Sequence, residues 1–107
     1  MKKKEFLATE ALENFLCGQP EEITGQFALL VDKLENNGFL VPPYGKKIVG
    51  YENLFEIRIL SGGSVRVFYC YQQDDIILGV SGFIKKSQKT PAQEIKKALR
   101  IIRQWEA

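Results

Sequence analysis

The chain contains no histidine. That absence excludes histidine triads, histidine acid–base pairs and histidine-ligated metals. The two cysteines, Cys17 and Cys70, are too few for a four-cysteine zinc site, though enough for one disulfide. The opening Met-Lys-Lys-Lys runs straight into Glu5 without a signal-peptide pattern, and no apolar run reaches membrane-spanning length. A soluble, cytoplasmic protein with reduced thiols is therefore expected. What the chain does have is 107 residues, 45% of them hydrophobic and 26% charged. That size and balance suit one packed domain over residues 1–107 that needs neither metal nor disulfide. No internal repeat, low-complexity tract or linker interrupts it.

The net charge of +2 hides an uneven distribution. Residues 1–53 carry six lysines against eight acidic residues, and 54–84 carry two arginines against three. Residues 85–107 carry seven basic residues against two acidic ones, +5 locally. Lys89, Lys96, Lys97, Arg100 and Arg103 in that segment, with Lys46 and Lys47 earlier, are candidate contacts to a phosphate backbone. The competing reading is the solvated face of an amphipathic helix.

Periodicity divides the chain into elements. Lys4 to Ala8 reads as a first strand. Thr9 can cap a helix running to about Leu16, which Gly18 and Pro20 end. A second helix starts near Pro20 and carries Ile23, Phe27, Leu30, Val31 and Leu34 on one stripe until Asn37-Gly38. Pro42-Pro43-Tyr44-Gly45 is a loop, followed over 46–50 by irregular chain or a short strand. From Leu54 the period changes to 2, with Phe55, Ile57 and Ile59 on one face and Glu56 and Arg58 on the other. Ser61-Gly62-Gly63-Ser64 turns the chain into a second strand, Val65 to Tyr71. Asp74-Asp75 turns it into a third, Ile76 to Ile84. Thr90-Pro91-Ala92-Gln93 has the form of a helix cap, and Ile95, Ala98, Leu99 and Ile102 form the buried stripe beyond it. The expected fold is α+β: a small antiparallel sheet of an N-terminal strand plus a three-strand meander, packed with two N-terminal helices and a C-terminal helix.

The hairpin fixes a register. With Gly62 in a three-residue turn, cross-strand partners sum to 124, so Arg58 faces Arg66 and Glu56 faces Phe68. A two-residue turn would instead set Arg66 against Ile59 and drive a charge into the apolar face. Two directly opposed arginines repel, so Glu56 or a bound anion must offset them. The bland reading is a surface Glu56–Arg58 pair with Arg66 reaching to solvent. Lys85 and Lys86 end the neighbouring strand on opposite faces, so one of them can join the arginines. Cys70 falls on the arginine face, where cations would favour its thiolate, but it reads first as a small hydrophobe. Such a face suits phosphoryl chemistry, because cations stabilise charge developing on phosphate oxygens. RNA supplies its own 2′-hydroxyl nucleophile, leaving deprotonation to a lysine of lowered pKa or to Glu56.

Three segments together resemble the phage-derived, HigB-like branch of the RelE/ParE toxin superfamily. They are Leu54-Phe55-Glu56-Ile57-Arg58, Val65-Arg66-Val67-Phe68-Tyr69, and Gly82-Phe83-Ile84-Lys85-Lys86 continuing through Ser87-Gln88-Lys89-Thr90-Pro91 to Glu94-Ile95. The resemblance spans about residues 46–105. It implies the toxin of a type II toxin–antitoxin pair that cleaves mRNA, usually in the ribosomal decoding site, without a metal or cofactor. It also implies a helix-turn-helix antitoxin as partner, no membrane, and a homodimer or a toxin–antitoxin heterocomplex. By position Arg66 matches the phosphate-stabilising arginine, Glu56 and Arg58 sit at basic strand positions, and Lys85 and Lys86 at a basic catalytic position. The chain departs from this family near the C-terminus, where many members use a tyrosine or histidine as acid or base and this sequence has only Trp105. Glu56 likewise replaces what can be a lysine. Two alternatives stay open: a ParE-like inhibitor of DNA gyrase, and a nonenzymatic binding module of phage origin.

Overall fold

A computed structural model of the chain describes residues 3–61 and 63–107. Its strands are β1 (Glu5–Ala8), β2 (Gly45–Lys47), β3 (Phe55–Ile59), β4 (Val65–Gln73) and β5 (Ile76–Ile84). Its helices are α1 (Glu10–Cys17), α2 (Glu21–Asn37) and α3 (Ala92–Glu106). The strands form one sheet in the order β1-β5-β4-β3-β2. The α+β class and the meander β3-β4-β5 are as expected, but the sheet is mixed, because β1 joins β5 in parallel. Both N-terminal helices and three strands separate β1 from β5 in the chain, so no hairpin dictates their direction. The short strand read over 46–50 is β2, which pairs antiparallel with β3 from Gly45 to Lys47.

Alternation along the strands feeds two cores. Phe6, Ile57, Ile59, Val67, Tyr69 and Ile77 face α1 and α2, which contribute Leu12, Ile23, Leu30 and Leu34. Leu54, Phe68, Cys70, Leu78, Val80 and Phe83 face α3 and its Ala98, Leu99 and Ile102. The face expected to carry charge is therefore charged only at one end, since α3 converts the rest of it into core. Cys70 is buried there as a free thiol and Cys17 is an exposed one. Burial pushes the Cys70 thiol up, which fits the reading of it as a small hydrophobe.

Caps place the helices. Thr9 accepts the Leu12 amide at 3.1 Å and donates its hydroxyl to the Val80 carbonyl at 2.5 Å, so one residue starts α1 and ties it to β5. Gly38, at φ 87°, closes α2 and donates its amide to the Leu34 carbonyl. α1 lies close on β5 because glycines leave it room. A Cβ on Gly79 would overlap the Phe6 ring and stand 2.7 Å from a Leu12 methyl. Gly79→Ala should thus cost about 2–3 kcal/mol through overpacking, read as a lowered thermal midpoint. An unchanged midpoint would show that α1 can lift off the sheet freely.

Candidate functional site

The charged end of the α3 face is built on the register of the first hairpin. Arg58 pairs across the strands with Arg66, Glu56 with Phe68, and Ile59 with Val65, so partners sum to 124 as the charge pattern requires. The turn position assigned to Gly62 lies outside the described residues. Around it, the hydroxyl of Ser61 donates to Glu22 at 3.1 Å and its amide to Gln26 at 2.9 Å, so α2 anchors the hairpin end. The Lys85 amide donates to the Ser64 carbonyl at 2.8 Å, which draws the end of β5 to the start of β4. Lys46 is the cross-strand partner of Glu56 on β2. The Arg58 amide extends that ladder by donating to the Tyr44 carbonyl at 2.8 Å.

At the centre stands a carboxylate with no solvent exposure. Glu56 is 0% exposed and lies between two guanidiniums: its Oε1 is 3.9 Å from Arg58 Nε and 3.8 Å from Arg66 Nε. Its Oε2 accepts the Thr90 hydroxyl at 3.2 Å. None of Glu56 Oε1, Arg58 Nε and Arg66 Nε has a hydrogen-bond partner, though all three are buried. These contacts are Coulombic and leave donor capacity on both arginines. Arg66 spends one donor on the Val65 carbonyl, Nη1 to oxygen 3.0 Å. Desolvation lowers its pKa, Arg58 lowers it further, and Glu56 opposes both. Lys85 is half-buried at the same place and its ammonium is also held low. Desolvation is the main cause; Glu56 opposes it, and the charges of Arg66, Arg58 and Lys46 add to the lowering.

Four cations therefore surround one anion, and the excess positive charge meets a polar cleft lined by Arg58, Ser64, Arg66, Lys85, Lys86, Ser87 and Gln88. Lys86 is exposed on the rim, so Lys85 is the lysine that joins the arginines. Among the described residues, no three of His, Cys, Asp or Glu gather as metal ligands. The arrangement can bind an anion, stabilise charge growing on it, and offer a lysine whose pKa is lowered from its ordinary value.

A family model described as "Phage derived protein Gp49-like (DUF891)" matches residues 14–103. The chain belongs to this family. The match takes in the second half of α1, all of α2, the whole cationic cluster and most of α3. Gp49-like proteins are RelE-like and toxin-like, so the resemblance read from the three segments holds at the level of the family. No curated protein matches the chain.

The remaining basic residues of this Gp49-like chain do not join the cluster equally. Lys47 pairs with Phe55 and so alternates to the opposite face from Lys46. Lys89 is exposed in the segment that leads into α3. Lys96, Lys97, Arg100 and Arg103 are on α3, away from its buried Ala98 stripe, with the first two and both arginines exposed. No helix among the described residues is long and apolar enough to cross a membrane. Two features of the site are absent from the sequence reading. Thr90 does not cap α3: Pro91 occupies the cap position without a side-chain bond, and the Thr90 hydroxyl serves the buried carboxylate. A hydroxyl beside a buried charge gains more from that charge than from a helix amide already open to water. Ser81, buried with an unpartnered Oγ, lies in the row that Phe68 links to Glu56, and its sequence context marks it only as a strand residue.

Proposed function

We propose that the chain is the toxin of a type II toxin–antitoxin pair, of the HigB-like kind, acting as a single domain. Its reaction is metal-independent endonucleolytic cleavage of mRNA on the ribosome in the cytoplasm, countered by a helix-turn-helix antitoxin. The observation that carries this reading is the excess of positive charge around buried Glu56. Arg58 and Arg66 are held side by side with donors to spare, and Lys85 stands next to them with its proton loosened.

In this reading an RNA phosphate docks on Arg58 and Arg66, and neutral Lys85 takes the proton of the adjacent 2′-hydroxyl. The 2′-oxygen attacks phosphorus, the bond to the 5′-oxygen breaks, and that oxygen takes a proton from the rim at Lys86 or from water. The products are a 2′,3′-cyclic phosphate and a 5′-hydroxyl. The arginines stabilise the charge that accumulates on the non-bridging oxygens. Glu56 has no exposed surface and does not touch the RNA. Its part is to set the two arginines in place. Lys46, Lys89 and the basic residues of α3 steer the backbone at longer range.

The test is RNA cleavage by the purified protein in a translating extract, mapped by primer extension beside an Arg66→Ala control. Discrete in-frame cuts that vanish in the variant are expected. Intact RNA together with trapped DNA breaks would overturn the nuclease in favour of a gyrase inhibitor. Intact RNA with neither would leave a binding module.

A further inference from the structure

A second cavity opens beside the cationic cluster, and its walls are of a different kind. It has a volume of about 500 Å³ and is lined by the rings of Phe39, Phe55, Tyr69 and Tyr71. The floor is a packed set of rings. Phe55 stacks on Tyr69 at 5.4 Å between centroids and 22° between planes, and Tyr71 meets Phe55 edge-on at 5.2 Å. Phe39, by contrast, is 59% exposed. The two tyrosine hydroxyls are not available for proton transfer. Tyr71 donates to the Gly38 carbonyl at 2.7 Å, and burial holds the Tyr69 proton far above its ordinary range. The cavity therefore offers flat apolar faces and no acid or base of its own.

Its edge is cationic. Lys46 and Lys47 line it, and so does Arg58, which also lines the polar cleft of the cluster. One guanidinium is thus shared by a site for an anion and a site for a flat ring. Both features occur together in a nucleotide, whose phosphate wants the first and whose base wants the second. Apolar walls with a few convergent charges, in a volume of this size, are the ordinary make-up of a small-ligand site. Base stacking on aromatic side chains needs no hydrogen-bond partner for the base.

We infer that this cavity receives the base of the nucleotide whose phosphate sits on Arg58 and Arg66, with Phe39 closing over it as a stacking residue. The cavity thereby makes the substrate a single-stranded one, because a base paired and stacked in a duplex cannot enter it. The inference rests on the cluster holding an RNA phosphate, as proposed above.

The experiment titrates adenosine 5′-monophosphate, cytidine 5′-monophosphate and ribose 5-phosphate into the full chain, followed by NMR. The two nucleotides should bind roughly ten-fold more tightly than the sugar phosphate. Phe39→Ala should erase that difference without weakening ribose 5-phosphate, and Phe39→Trp should restore it. Because Phe39 is largely exposed, neither variant should move the thermal midpoint. Equal binding of nucleotides and sugar phosphate, or a base preference that survives Phe39→Ala, would overturn the inference while leaving the cluster intact. Failure of ribose 5-phosphate to bind, or binding that Arg66→Ala does not weaken, would overturn the phosphate site and this inference with it.

Discussion

Glu56→Gln should lower the midpoint of thermal unfolding by about 12 °C, and inorganic phosphate should recover part of the loss. The reason is the charge balance around a side chain with no solvent exposure. At about 4 Å and an effective dielectric near 20, each arginine–carboxylate attraction is worth about 4 kcal/mol, against a desolvation cost of several kcal/mol per ion. The intact cluster therefore comes out near balance. Glutamine keeps the shape and can still accept the Thr90 hydroxyl, but it leaves Arg58 and Arg66 facing each other uncompensated. Removing one partner of a buried ionic group costs about 3–5 kcal/mol, and the preserved shape argues for the lower value. For a domain of this size about 4 °C of midpoint corresponds to 1 kcal/mol.

Phosphate binding to the folded cluster should return about 1.4 kcal/mol at ten times its Kd, close to half the loss. Chloride at matched ionic strength should return less, because it screens the arginines without bridging them. A midpoint within 2 °C of the parent protein (an arbitrary but practical threshold, about 0.5 kcal/mol) would show that the arginines do not need the carboxylate. A loss that phosphate leaves untouched would show that they do not form an anion site.

The sequence made some of this site legible and hid the rest for identifiable reasons. The pairing of Arg58 with Arg66 was readable because period-2 alternation lets only one register keep both charges off the apolar face. The helices at Glu10–Cys17 and Glu21–Asn37 were readable because their stops and apolar spacing are local. The burial of Glu56 was not. Strand alternation places it on the non-apolar side, but whether that side meets water depends on where α3 lies, a contact between residues far apart in the chain. The same distance hides the parallel pairing of β1 with β5, and the choice between Lys85 and Lys86. Bulges between Phe68 and Tyr69, and between Tyr71 and Gln73, shift the count along β4, and nothing local announces them. Thr90 misled because Thr-Pro followed by a helical stripe is a good cap pattern. A competing partner outbid the helix only once the chain had folded.

Lys85→Gln should slow single-turnover RNA cleavage by roughly 10²–10⁴-fold, the range of a general base. The sign of the pH dependence follows from its surroundings. Burial first, and then the charges of Arg66, Arg58 and Lys46, disfavour the ammonium, while Glu56 favours it; the balance lowers the pKa from 10.5. In the proposed reaction the neutral amine is the reactive form, so the rate should climb with pH along a limb lying below 10.5 and disappear from that limb in the variant. Stability shares the direction: protonated Lys85 weakens the fold, and that weakness is relieved as pH rises from the lowered value to 10.5. Glu56→Gln removes the one charge that holds the proton on, so it should move the limb to lower pH, a shift that a purely structural role for Glu56 would not produce. Lys85→Arg separates base from cation. Arginine keeps the positive charge on the phosphate but does not give up its proton, so RNA should still bind while cleavage falls as far as in Lys85→Gln. If Lys85→Arg cleaves at the parental rate, Lys85 acts on the phosphate as a charge, and the proton of the 2′-hydroxyl must leave by another route.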